Sequence, residues 1–138
     1  MEQAETRRAR MRSLKVGMAA VLAAAAVTAV APAALAKDGD VIRRGSCSGA
    51  SDWKLKLSPE NGRIEVEYEV DQNRSGDRWQ VRLRHNGDLF FSDTRTTQPP
   101  SGSFEVRRVV NNRAGDDRIT ARAVNQRTGE VCGGAATF

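Results

Sequence analysis

From residue 41 onward, apolar and polar positions alternate in run after run. Trp53, Leu55 and Leu57 alternate with Lys54 and Lys56, and Ile64, Val66, Tyr68 and Val70 with Glu65, Glu67 and Glu69. Trp79, Val81 and Leu83 alternate with Gln80, Arg82 and Arg84. Phe104 and Val106 flank Glu105, and Ile119, Ala121 and Ala123 enclose Thr120 and Arg122. Residues 41–47, 88–94 and 131–138 repeat the pattern less cleanly. A period of two sends alternate side chains to opposite faces of a strand, so each run presents one apolar face to a core. No run follows the helical period. Asn61-Gly62, Ser75-Gly76, Asn86-Gly87, Pro99-Pro100, Gly115-Asp116 and Thr128-Gly129 supply turns between the runs. The pattern predicts an all-β antiparallel two-sheet sandwich of seven or eight strands.

Two hairpin registers follow. Asn86-Gly87 is a two-residue turn signal. It sets His85 against Asp88, Leu83 against Phe90 and Val81 against Ser92 on the inner side. On the outer side it sets Arg84 against Leu89 and Arg82 against Phe91. A loop over residues 58–63 sets Leu57 against Ile64, Lys56 against Glu65 and Lys54 against Glu67. Opposite charges facing one another across strands stabilise such a pair.

The first 36 residues break the pattern. A cationic stretch ends at Lys15, an uncharged Ala- and Val-rich run extends from Val16 to Val30, and Ala34-Leu35-Ala36 closes the segment after Pro32. These are the three parts of a secretory signal peptide, with cleavage expected after Ala36 and Lys37 as the new N-terminus. The apolar run is about 15 residues, short of the ~20 needed to span a bilayer. Membrane association is therefore expected only through this segment, and only if it is retained as an anchor. Met11 offers a second start. Arg7-Arg8 resembles a twin-arginine signal, but Arg10 stands where that signal carries an apolar residue, so the general secretory route is expected. The expected organisation is a signal peptide helix over 1–36, a lead and first strand over 37–46, and the sandwich over 47–138.

This segment changes the meaning of the composition. The 138 residues carry a net charge of +5, from 22 basic and 17 acidic residues. Residues 1–36 hold 5 of the basic and 2 of the acidic residues, which leaves 17 against 15 and a net of +2 downstream. A nearly balanced exported domain is not expected to bind nucleic acid. They also hold 23 of the 54 hydrophobic residues, so about 30% of the remaining 102 are hydrophobic.

Such a thin core gains from a covalent tie. Cys47 and Cys132 are the two cysteines, and a pair in an exported chain is expected to form a disulfide. It would close a loop of about 86 residues. On the chain-entropy account that stabilises by roughly 4–5 kcal/mol. A metal or redox site is disfavoured, since there is no CxxC and the single His85 cannot complete a zinc set.

Catalytic chemistry finds no support in the residues. His85 ends a strand beside a turn and is expected to pack there or meet solvent. Ser48, Ser51 and Ser92 sit in no nucleophile motif. Glu65, Glu67 and Glu69 share an outer face with lysines opposite, where ordinary pKa values and a structural role are expected. Asp116 and Asp117 with Asp88 or Asp93 lack the spacing of a calcium loop. No catalytic residue, cofactor or metal site is expected.

Trp79-Gln80-Val81-Arg82-Leu83 before a tight hairpin, and Gly115-Asp116-Asp117-Arg118-Ile119 entering a late strand, resemble an immunoglobulin-like or fibronectin type III-like sandwich. The resemblance covers residues 47–138. It implies one sheet from Leu55, residues 64–70 and residues 104–110, and a second from residues 79–85, 88–94, 119–124 and 131–138. The cysteines depart from the usual immunoglobulin pair, with Ala123 where a core cysteine stands and Ala121 where a corner tyrosine is usual. The chain is also similar to the small exported single-domain proteins of high-GC Gram-positive bacteria, which implies a location and a fold but no activity.

In that arrangement the outer face of the second sheet carries Arg82, Arg84 and Arg122, with Leu89 and Phe91 among them. Arginine forks suit carboxylate and phosphate, and an exposed ring adds stacking area. The expected role is an exported, non-catalytic module for an anionic envelope polymer, an acidic glycan or an acidic protein. The alternative is a small secreted enzyme or enzyme inhibitor acting through the loop over residues 94–103, which contains Pro99 and Pro100.

Overall fold

The computed structural model describes residues 39–138, so the export segment expected over 1–36 lies outside the described residues. Eight strands follow one another: β1 Val41–Ser46, β2 Asp52–Glu60, β3 Arg63–Asp71, β4 Arg78–His85, β5 Asp88–Thr96, β6 Ser103–Asn111, β7 Arg118–Asn125 and β8 Val131–Thr137. They form two four-stranded sheets, ordered β1-β2-β3-β6 and β5-β4-β7-β8, with every pair antiparallel. The fold is an all-β two-sheet sandwich, as the alternation predicts. Leu55, Leu57, Ile64, Val66, Tyr68 and Val70 from one sheet meet Trp79, Val81, Leu83 and Ile119 from the other, all fully buried. A ring pair and a hydrogen bond are among the contacts that cross the core. The rings of Trp79 and Phe104 lie 6.2 Å apart at 54°. The Tyr68 hydroxyl donates to the Cys132 carbonyl at 3.0 Å, and burial pushes its pKa up.

The hairpin turns are built as two-residue turns with positive φ at both positions: Asn61 at 49° and Gly62 at 75°, then Asn86 at 49° and Gly87 at 90°. Asparagine and glycine tolerate this region, and such turns match the twist of the strands they join. The first turn corrects the β2–β3 register. The loop over 58–63 does not exist; β2 continues through Pro59 to Glu60, so Leu57 pairs with Val66, Lys56 with Glu67 and Lys54 with Glu69. Pro59 is tolerated because β1 ends opposite Leu57, leaving no ladder partner on that side.

The second hairpin corrects another expectation. His85 pairs with Asp88 and Arg84 with Leu89, but Leu83 then pairs with Phe91 and Arg82 with Ser92. Phe90 is the extra residue of a β-bulge. A one-residue slip exchanges the two faces of a strand, so Phe91 enters the core at 7% exposure and is not on the outer face. Phe90 is partly buried against the same core. At this open side of the sandwich, the guanidinium carbons of Arg95 and Arg108 lie 5.0 and 4.5 Å from the Phe91 ring centre.

The opposite side is closed by the disulfide. Cys47 and Cys132 are bonded, with Cα atoms 4.3 Å apart, tying the end of β1 to β8 and one sheet to the other. Trp53 fills the space beside it, lying over two glycines. A Cβ on Gly45 would stand 2.8 Å from the indole nitrogen, and one on Gly134 would overlap the indole ring. The Gly133-Gly134 pair therefore marks a close approach of a side chain to a strand.

Candidate anion-binding face

On the outer face of β5-β4-β7-β8, β4 contributes Arg78, Gln80, Arg82 and Arg84, and β7 contributes Arg118, Thr120, Arg122 and Val124. These positions alternate with the buried ones on each strand. The ladder places Arg82 directly opposite Arg122, and Arg84 opposite Thr120. Neighbouring strands add small or uncharged side chains: Ser92, Thr94 and Thr96 from β5, and Gly133, Ala135 and Thr137 from β8. Among the described residues, no acidic side chain shares this face. Arg78, Arg82, Arg118 and Arg122 find no side-chain hydrogen-bond or ion-pair partner there among the described residues. Arg84 donates one bond, from Nη1 to the Gly87 carbonyl at 3.2 Å. A shallow cleft of about 270 Å³ opens between Arg82, Arg84 and Arg122, with Thr120 and Ala121 in its wall.

The other sheet is the opposite case. On its outer face Lys54 meets Glu69 at 2.8 Å, Lys56 meets Glu67 at 3.3 Å, and Arg107 reaches Glu65 at 3.1 Å and Glu67 at 2.5 Å. Burial raises the Glu67 pKa, but Arg107 and Lys56 outweigh it and the net shift is downward. The ordinary value expected for this carboxylate is thus corrected. The glutamate row is occupied by ion pairs, and the arginine face has none among the described residues.

Of the expected binding residues, the structure brings Arg82, Arg84 and Arg122 together and removes Phe91. Two arginines were missed, Arg78 and Arg118. Each stands four residues before a recognised arginine, Arg82 or Arg122, so extending the alternation backward by one period from Gln80 and Thr120 finds them.

The remaining chemistry-bearing groups are engaged elsewhere. His85 is 2% exposed, and its Nε2 lies 2.5 Å from the fully buried Asp117 carboxylate. Of the two expected roles, it takes the packed one beside the turn and does not meet solvent. Asp117 also accepts from the Arg113 backbone N–H, and among the described residues no hydroxyl or thiol bonds the imidazole ring. Asp88 pairs with Arg113 at 3.1 Å and Asp93 with Arg95 at 2.5 Å. Cys47, Glu130 and Cys132 bring potential ligand atoms within 4.8 Å, but the disulfide leaves no thiolate to bind a metal. At one end of the sandwich, Asp77 accepts from Arg127 Nε and Nη2 at 2.8 and 2.6 Å, from Asn125 at 3.0 Å and from Gln72 at 2.5 Å. Gln72 in turn accepts from the Trp79 indole at 3.1 Å. This network fastens loops together.

The proline loop is shorter than the sequence suggested, because β5 runs on to Thr96. Thr97 is buried and exchanges hydrogen bonds with Asp77, and Gln98 and Ser103 bridge its base. The tip over residues 98–101 is exposed.

No family model matches the chain, and neither a curated protein nor a solved structure matches it.

Proposed function

We propose that the chain is an exported, non-catalytic binding module that holds an anionic envelope polymer, glycan or protein on the outer face of β5-β4-β7-β8. The observation that carries this reading is the arginine set itself. Arg78, Arg82, Arg84, Arg118 and Arg122 share one sheet face with no acid among the described residues there, while Glu65, Glu67 and Glu69 on the other sheet are held in ion pairs. Unpaired guanidinium forks on a rigid sheet are pre-organised donors for carboxylate or phosphate. Export is supported by the tripartite segment ending at Ala36 and by the disulfide, which belongs to oxidising compartments. The order β8-β7-β4-β5, with Trp79 buried on a central strand, supports the immunoglobulin-like or fibronectin type III-like reading.

The test is salt-titrated binding of the full chain to immobilised anionic polymers. Binding is expected to weaken steadily as salt rises and to vanish in the Arg82→Ser/Arg84→Ser variant, which keeps the fold. Binding that is indifferent to both would overturn the reading. Export is checked by the N-terminal sequence of protein recovered from culture medium, expected to begin at Lys37.

A further inference from the structure

We propose that the β4–β7 arginines bind an unbranched, non-aromatic phosphodiester polymer laid along the strands, with one phosphate seated between Arg82, Arg84 and Arg122 over Thr120. This deepens the anionic-partner reading above and rests on it.

Shape is the first argument. From Arg78 to Arg118 the array spans eight ladder positions along the strands, roughly 26 Å at ~3.3 Å per residue, yet it is only two strands wide, about 4.8 Å. A stripe of this form matches an extended chain better than a rounded protein surface. Its flanks carry Ser92, Thr94, Gly133 and Ala135, which leave room for a polymer backbone to lie down.

Donor number is the second. Arg82 and Arg122 face each other across the ladder and Arg84 stands one row further on. Three forks reach one cleft from two strands and two rows, whereas the roughly four acceptor sites of a carboxylate lie close to one plane. A phosphodiester also has two free oxygens, but on a tetrahedral centre they accept outside any one plane, so forks from both strands can share it. Arg78 and Arg118 extend beyond the cleft at either end, placed for neighbouring phosphates of the same chain.

The third argument concerns rings. Single-stranded nucleic acid is held on aromatic platforms. Here Trp79 is fully buried, Phe90 and Phe91 pack against the core, and Trp53 lies over Gly45 and Gly134. Among the described residues the arginine face carries no ring on which a base would stack, so the linked units are sugars or polyols.

The probes are synthetic poly(glycerol phosphate), polyglutamate and single-stranded DNA of matched charge, and inorganic phosphate, each titrated against the full chain. Poly(glycerol phosphate) is expected to bind roughly tenfold or more tightly than the other three. The Arg82→Ser/Arg122→Ser variant should lose roughly tenfold or more of that affinity, the scale of losing charge-assisted hydrogen bonds. Removing two charges elsewhere, in Arg43→Ser/Arg44→Ser, should change it less than about twofold, the scale of weak, screened charges at a distance. Arg82→Lys/Arg122→Lys keeps the charge but not the forks, and should lose affinity while keeping the salt slope. Equal binding of polyglutamate or free phosphate overturns the phosphodiester assignment and leaves the anionic face standing. Tighter binding of DNA overturns the non-aromatic assignment. Failure of every polyanion to bind, or an equal loss in the Arg43/Arg44 variant, overturns both.

Discussion

Arg82 and Arg122 stand directly opposite each other on the two central strands β4 and β7, and neither has an acidic partner among the described residues. Like charges in this position destabilise an antiparallel pair. The fold therefore carries an electrostatic tension that a bound anion would relieve. Arg82→Thr is expected to hold or raise the stability by about 0.2–1 kcal/mol while weakening polyanion binding. Urea unfolding beside a binding titration checks both. A variant that loses stability in step with affinity would show Arg82 to be a structural residue.

The bulge between β4 and β5 makes a prediction about two adjacent phenylalanines. Phe91 is in the core at 7% exposure, whereas Phe90 is only partly buried. Phe91→Ala should cost about 3 kcal/mol, the lower end for a buried ring, and Phe90→Ala distinctly less. Denaturant midpoints for the two variants are sufficient. The reverse ranking would mean that the hairpin pairs without the bulge.

Asp77 gives the domain an acid-sensitive joint. Arg127, then Asn125 and Gln72, hold its carboxyl well below the ordinary 3.8. In the unfolded chain the same group takes up a proton near its ordinary value, so below that pH the unfolded state binds more protons than the folded one. The stabilisation is complete above the ordinary value and is lost as the pH falls through the lower folded value. Asp77→Asn is expected to be less stable than the parent at neutral pH, and the gap should narrow on acidification below about pH 4. Thermal unfolding followed over that range tests the sign. A gap that is constant with pH would remove the carboxylate from this role.

Trp53 supplies a packing test. Gly134→Ala places a methyl group where the indole ring lies, and overpacking of this kind costs roughly 1–3 kcal/mol. Trp53→Leu removes the ring and should make the alanine at 134 better tolerated than it is in the parent. The coupling is read from a double-mutant cycle on urea unfolding free energies. Simple additivity would mean that β8 moves aside instead.

The sandwich was legible because period-two alternation survives in β2, β3, β4 and β7, where one face is buried and the other is charged. The β4–β5 register was not legible. Both Phe90 and Phe91 are apolar, so an unbroken ladder and a bulged one satisfy the pattern equally, and only packing against Leu83 decides between them. The extent of β2 was not legible either: it runs through Pro59 to Glu60, and the end of β1 at Val41, opposite Leu57, makes that proline harmless. Arg82, Arg84 and Arg122 were readable as one face from parity alone. The engagement of His85 by Asp117 was hidden, since the two are 32 residues apart and no local motif joins them.

The cystine between Cys47 and Cys132 also bears on what a protease can do to this domain. Nearly all of the fold lies between its two ends, 85 positions apart in sequence. A single cut in any connection within that span leaves two pieces still covalently joined and still paired through their sheets. Such a nick opens the chain without releasing either part, so the arginine face and the strands that carry it remain one body.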